Sequence, residues 1–238
     1  MTHPVDRGLR RLSTPRAAAF AGVLFALLFG AALVLIRTAL PAGGALGSQW
    51  VDGADGRLRL AVLLMPFAGI AFLWFIGVVR DGLGTLEDRF FTTVFLGSGL
   101  LFLAMVFVST AAGAGLLASK EFLAEAGTRT EVAAFGQGFL IALTNTYALR
   151  MAAVFMMSLA TIWLRTRLMP GWLVIVTYLV ALCVLVASDI SLWMTVAFPV
   201  WVLVVSLVML VRSGVIDLPG DDGEVSPRRS PTRSPDTA

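Results

Sequence analysis

The stretch VAAFGQGFLIALTNTYALRMAAVFMMSLATIWL, residues 132–164, carries a single charged side chain, Arg150. A helix of ~20 apolar residues crosses a bilayer, so this run is too long for one simple span. If Arg165 marks one membrane face, Arg150 lies roughly 22 Å further along the helix at ~1.5 Å per residue. That is about 8 Å inside the opposite edge of a ~30 Å hydrocarbon core. A guanidinium at such depth costs at least ~2.5 kcal/mol unless it snorkels, finds water or meets a partner. Snorkelling to headgroups, a buried ion pair and a ligand contact all satisfy this. Gln137, Thr144 and Asn145 make the first part too polar for a lipid-facing centre. The reading is an extramembrane extension of a span at 146–164, with a re-entrant piece buried in protein as the alternative.

The whole chain fits that setting. With 238 residues, 58% hydrophobic and 14% charged, and a mean hydropathy of +0.88, it lies outside the soluble range and reads as a polytopic membrane protein. The net charge of +3 comes from basic residues at the ends of apolar runs, which is an orientation signal and excludes a nucleic-acid face. One cysteine, Cys183, and one histidine, His3, rule out an intrachain disulfide, a bis-histidine haem, an iron–sulfur cluster and a His/Cys zinc site. Cys183 reads as a small apolar filler, and Met151, Met156 and Met157 read as packing residues, not metal ligands. No metal and no cofactor is expected.

Arg7, Arg10, Arg11 and Arg16 precede an apolar run at 17–36 that ends at Arg37, so 1–16 reads as a basic tail and 17–36 as a retained span. Ala18, Gly22, Ala26 and Gly30 recur every four residues there, a small-residue stripe that lets another helix approach closely. A polar connection with Asp52 and Asp55 follows, lacking the ligand pattern of a calcium loop. The next spans are 60–79, containing Pro66, and 90–116, with small spacings at Ser109/Gly113 and Ala111/Gly115. Residues 117–131 read as a charged connection able to lie on the membrane. After 146–164 and a basic turn at Arg165, Arg167, Pro170 and Gly171, the forty residues 172–211 hold two more spans, 172–187 and 191–211, turning at Asp189. Pro66 and Pro199 predict kinks. Residues 213–238 turn to Pro, Ser and Arg and cannot bury enough apolar surface to fold alone. Their arginines and serines suit solvation, docking on anionic lipid, or control by phosphorylation.

Pro66-Phe67, Leu73-Trp74-Phe75-Ile76-Gly77, Arg80-Asp81, Leu83-Gly84 and Glu87-Asp88-Arg89-Phe90-Phe91 together resemble uncharacterised multi-span membrane proteins frequent in actinobacteria. The resemblance implies a membrane helix bundle. No activity is established for that group, so it carries no catalytic or binding residue over to this chain.

Twelve of the eighteen Lys and Arg residues fall on one side if the N-terminus is inside: Arg7, Arg10, Arg11, Arg16, Arg80, Arg89, Arg165, Arg167, Arg212, Arg228, Arg229 and Arg233. This bias predicts an all-α bundle of six transmembrane helices with both termini cytoplasmic, in the plasma membrane. Catalysis is not expected: the sole histidine is at position 3, Gly97-Ser98-Gly99 reads as helix packing, and Asp189 has no second intramembrane aspartate. Two functions remain. One is a structural or regulatory subunit, partnered by lipid and by another membrane protein or a second copy, with Gly22, Ala26, Gly30, Gly113 and Gly115 as packing positions. The other is a transporter or channel for a small solute, with a polar site at Arg150, Asp189, Asn145 and Gln137. Asp189, roughly 28 Å up its helix from Pro170, matches Arg150 in depth, so the two are expected to pair.

Overall fold

The protein, described by a computed structural model over residues 6–39, 55–83, 89–122, 126–187 and 194–212, is built from α-helices, with no strand among the described residues. In chain order they are α1 (Asp6–Ala39), α2 (Asp55–Leu83), α3 (Arg89–Phe122), α4 (Ala126–Ile141), a π-helical stretch (Ala142–Ala148), α5 (Leu149–Thr166), α6 (Gly171–Ala187) and α7 (Met194–Arg212). Five stretches are long and apolar enough to cross a membrane: Ala17–Ile36, Gly56–Asp81, Phe90–Ser119, Glu131–Thr166 and Met194–Arg212. Gly171–Ala187 is equally apolar and, at 17 residues, shorter. The helices are apolar on their outward faces too. Trp74 is 69% exposed and Leu27 60%, a surface suited to lipid and costly in water.

Each helix packs mainly on two neighbours. α1 lies between α2 and α7, α3 between α2 and α5, and α5 between α3 and α6, while α6 and α7 touch more sparingly and close the ring. The axis of this ring is filled by aromatic side chains. Phe72 of α2 meets Phe25 of α1 at 4.7 Å between ring centroids, Phe102 of α3 and Phe155 of α5 at 5.4 Å each, and Phe198 of α7 at 5.8 Å. All five rings are fully buried. Offset and edge-on aromatic pairs are worth ~0.5–1.5 kcal/mol beyond burial, and in lipid such contacts replace the hydrophobic drive that water would supply. Gly99 makes room for this cluster, because a Cβ there would come within 3.0 Å of Phe155 and 2.7 Å of Ile76.

Several expectations change in the structure. α1 begins at Asp6, so the basic segment continues as helix into the first span. Within 117–131, α3 runs to Phe122 and α4 starts at Ala126, so Lys120, Glu121, Arg129 and Glu131 sit on the ends of these two helices. The stretch at 132–145 does not reverse, since Ile141 and Ala148 both have right-handed helical backbone and α4, the π stretch and α5 form one rod. A re-entrant dip needs a chain reversal that this rod lacks. Pro66 and Pro199 lie inside α2 and α7, neither of which ends at its proline. Cys183 is exposed on the outside of α6, not packed as an interior filler; α6 is apolar all round, so its sequence marks no inner face.

Candidate functional site

The one irregularity in the rod is the π stretch ALTNTYA, 142–148. Thr144, Asn145 and Thr146 bring polar side chains that compete for backbone groups, which weakens the ordinary ladder locally. The amide of Leu149 donates to Thr144 O, five residues back. Widening of this kind recurs at functional sites, because it rotates the following residues and leaves carbonyls for other donors. Arg150 uses one: its Nη1 donates to Thr146 O at 2.7 Å. The guanidinium is half-buried and turned back toward the α4 end of the rod, the direction in which helical side chains lean.

α3 forms the facing wall. Its Ser109 Oγ and Thr144 Oγ1 are 3.1 Å apart across the interface, and either can donate. Nearby contacts run in steady antiparallel register. A Cβ on Gly113 would lie 4.0 Å from Leu140, and one on Gly136 would collide with the Leu116 side chain. At the far end of the same helix pair, the Arg165 guanidinium stands 4.6 Å over the Phe91 ring, a cation–π contact.

Of the four polar residues singled out in the sequence, Asn145 is buried in the π stretch, with Arg150 following one turn later. Gln137 lies two turns before Asn145 on α4 and is partly buried. Asp189 lies outside the described residues, as does His3. Among the described residues no three His, Cys, Asp or Glu side chains gather to hold a metal ion.

The packing positions divide. Ala18 and Ala26 are buried, and a Cβ on Gly22 would run into Ser206 Oγ of α7 and come within 2.8 Å of Phe75 of α2. Gly22 is thus the point where α1 meets α2 and α7 together. Gly30 and Gly115 depart from the expectation: among the described residues, no neighbouring side chain or other helix lies within 4 Å of a Cβ built on either. A four-residue repeat drifts by about 40° per step around a 3.6-residue helix, so the stripe turns off the packed face even though α1 stays buried at Ala32 and Leu33.

Polar contacts that the sequence reading overlooked tie the rest of the ring. Trp201 Nε1 of α7 donates to Thr177 Oγ1 of α6 at 2.9 Å, and Thr161 Oγ1 of α5 lies 2.7 Å from Tyr178 OH of α6. Their only advance signal was hydroxyl or indole groups inside otherwise apolar spans. Ser206 Oγ is buried, has no hydrogen-bond partner among the described residues, and faces Gly22. Its close partner is the glycine backbone, as in the Cα–H···O contacts that recur between tightly packed helices.

No family model matches the chain, and neither the curated proteins nor the solved structures provide a match.

Proposed function

We propose that the chain is a multi-pass plasma-membrane protein with six spans and both termini in the cytoplasm, acting as a structural or regulatory subunit of a membrane assembly. The observation that supports the subunit reading is the aromatic filling of the axis, where Phe72 touches rings from four other helices. A conducting path needs a polar or hydrated lining, and these rings give the middle of the bundle neither. The resemblance of residues 66–91 to actinobacterial membrane proteins adds nothing about mechanism to this reading.

Reconstitution tests this. Liposomes holding the purified protein should release or accumulate small solutes no faster than empty ones, and mass spectrometry of the purified protein should find lipid or a partner chain. Saturable solute uptake defeats the reading. Topology is tested separately: a reporter active only in the cytoplasm should work after Arg212 and stay silent at Gly53.

A second reading, a solute site at the α4 end of α5, is favoured by the π stretch with buried Asn145 and half-buried Arg150. It includes the pairing of Arg150 with Asp189. Arg150→Asp and Asp189→Arg should each lower folded yield, and the double swap should recover part of the loss. Purely additive damage removes the pair.

A further inference from the structure

The turn between α5 and α6 has a feature that folding alone does not call for. Arg167 closes α5 in the left-handed conformation, with φ 53° and ψ 26°, its amide donating to Trp163 O at 2.9 Å. Glycine or asparagine takes this position most cheaply, so an arginine here keeps its charge at a conformational cost. The side chain is exposed. Arg212, at the end of α7, donates to Leu168 O at 2.8 Å and brings a second exposed guanidinium to the same turn. The turn and the adjoining helix contain no acidic residue from 165 to 187.

Beside these cations lies an apolar rim: Leu164 is 60% exposed, Leu168 44% and Trp172 56%. Paired cations next to exposed aliphatic and indole surface match an amphiphile whose headgroup is anionic and whose chains are apolar. A soluble anion would have no use for the rim, and a neutral lipid none for the charges. Trp at a membrane–water boundary seats its ring at headgroup level, and each Lys or Arg near an anionic leaflet contributes ~1 kcal/mol.

We propose that the α5–α6 turn binds an anionic phospholipid, its phosphate against Arg167 and Arg212 and an acyl chain along Leu164, Leu168 and Trp172. The inference rests on the chain being in a membrane and is independent of whether it acts as a subunit or a carrier.

The test uses the full chain in neutral detergent, titrated with phosphatidylglycerol or with phosphatidylcholine of the same acyl chains. Phosphatidylglycerol should raise the unfolding temperature and survive on the protein in native mass spectrometry, less so at high salt. Phosphatidylcholine and free glycerol phosphate should do neither. Arg167→Asn should shift two readings in opposite senses. In detergent alone it should unfold about 2–4 °C higher, because asparagine accepts the left-handed backbone. Its affinity for phosphatidylglycerol should be about fivefold weaker, the loss of one charge contact. Arg167→Lys should keep most of the lipid response. Equal effects of the two lipids on the parent protein overturn the proposal, as does an undiminished response in Arg167→Asn. Stabilisation by glycerol phosphate alone also overturns it, in favour of a site for free anions.

Discussion

The middle of the bundle and the paired ends of α3 and α4 are held by different means. In the middle, five helices share one cluster of fully buried rings, and each ring touches several others. At the α3–α4 end the buried set shrinks to Leu58, Leu116 and Leu117, backed by partly buried Val132, Ala133 and Leu140. Phe135 and Phe139 stack on each other there, yet Phe135 is 77% exposed. Rings at the axis have no route to relax. Side chains at the margin have open surface beside them. The first region therefore fixes the fold, and the second is where polar groups and a widened helix are tolerated.

The largest test of that difference is truncation. Phe72→Ala removes contacts to four helices at once and should cost about 3–5 kcal/mol in detergent-driven unfolding. Leu116→Ala, in the smaller cluster, should cost nearer ~2 kcal/mol. Equal losses would mean that the α3–α4 end is as tightly organised as the axis.

Glycine positions sharpen the comparison within one helix. Gly22→Leu drives a side chain into Phe75 and Ser206 and should destabilise by about 1–3 kcal/mol or more. Gly30→Leu, two turns on and open on that side, should stay within about 0.5 kcal/mol. A large effect at Gly30 would place a further contact against α1 beyond the described residues.

Smaller again is the α6–α7 link. These helices touch sparingly, so the bond from Trp201 to Thr177, both buried, is a principal tie between them. Trp201→Phe keeps most of the ring and removes the donor, and should cost about 1 kcal/mol. If Trp201→Phe in a Thr177→Val background costs the same as in the parent, the bond carries none of it.

How much of this was legible beforehand follows from what each feature depends on. That an apolar helix covers 17–36 is legible, but α1 runs from Asp6 to Ala39, past the charges that bracket the apolar run. α3 and α4 were read too short, because Lys120, Glu121, Arg129 and Glu131 looked like a connection. Charges end the apolar run, but they do not end a helix that continues beyond hydrocarbon. The Gly22 contact is legible as spacing, whereas Gly30 misses it because a four-residue stripe drifts around the helix while α1 stays packed at Ala32 and Leu33. The π stretch was not legible, since Thr-Asn-Thr hints at competition for backbone groups without saying that the ladder will widen. The aromatic axis was missed for a related reason: helices apolar on every side carry no mark of which phenylalanines turn inward.

The smallest predicted effect lies in that π stretch. Ser109 and Thr144 face each other at 3.1 Å, and each has a second option, because a hydroxyl in a helix can return to a carbonyl three or four residues earlier. Neighbouring hydroxyls do just that: Thr110 donates to Val106 O at 2.8 Å and Ser98 to Val94 O at 2.7 Å. Losing one partner should therefore leave the other satisfied, and Ser109→Ala or Thr144→Val alone should cost little. Coupling between them in a double-mutant cycle should be about 0.6 kcal/mol, the usual size for hydrogen bonds between membrane helices. A coupling several times larger would mean that the pair holds the widened helix in place. Thr144→Val should then also change how readily a thiol reagent reaches a cysteine introduced at Tyr147, exposed on the same π stretch. Zero coupling would assign the widening to the backbone and to Arg150, whose guanidinium already occupies Thr146 O.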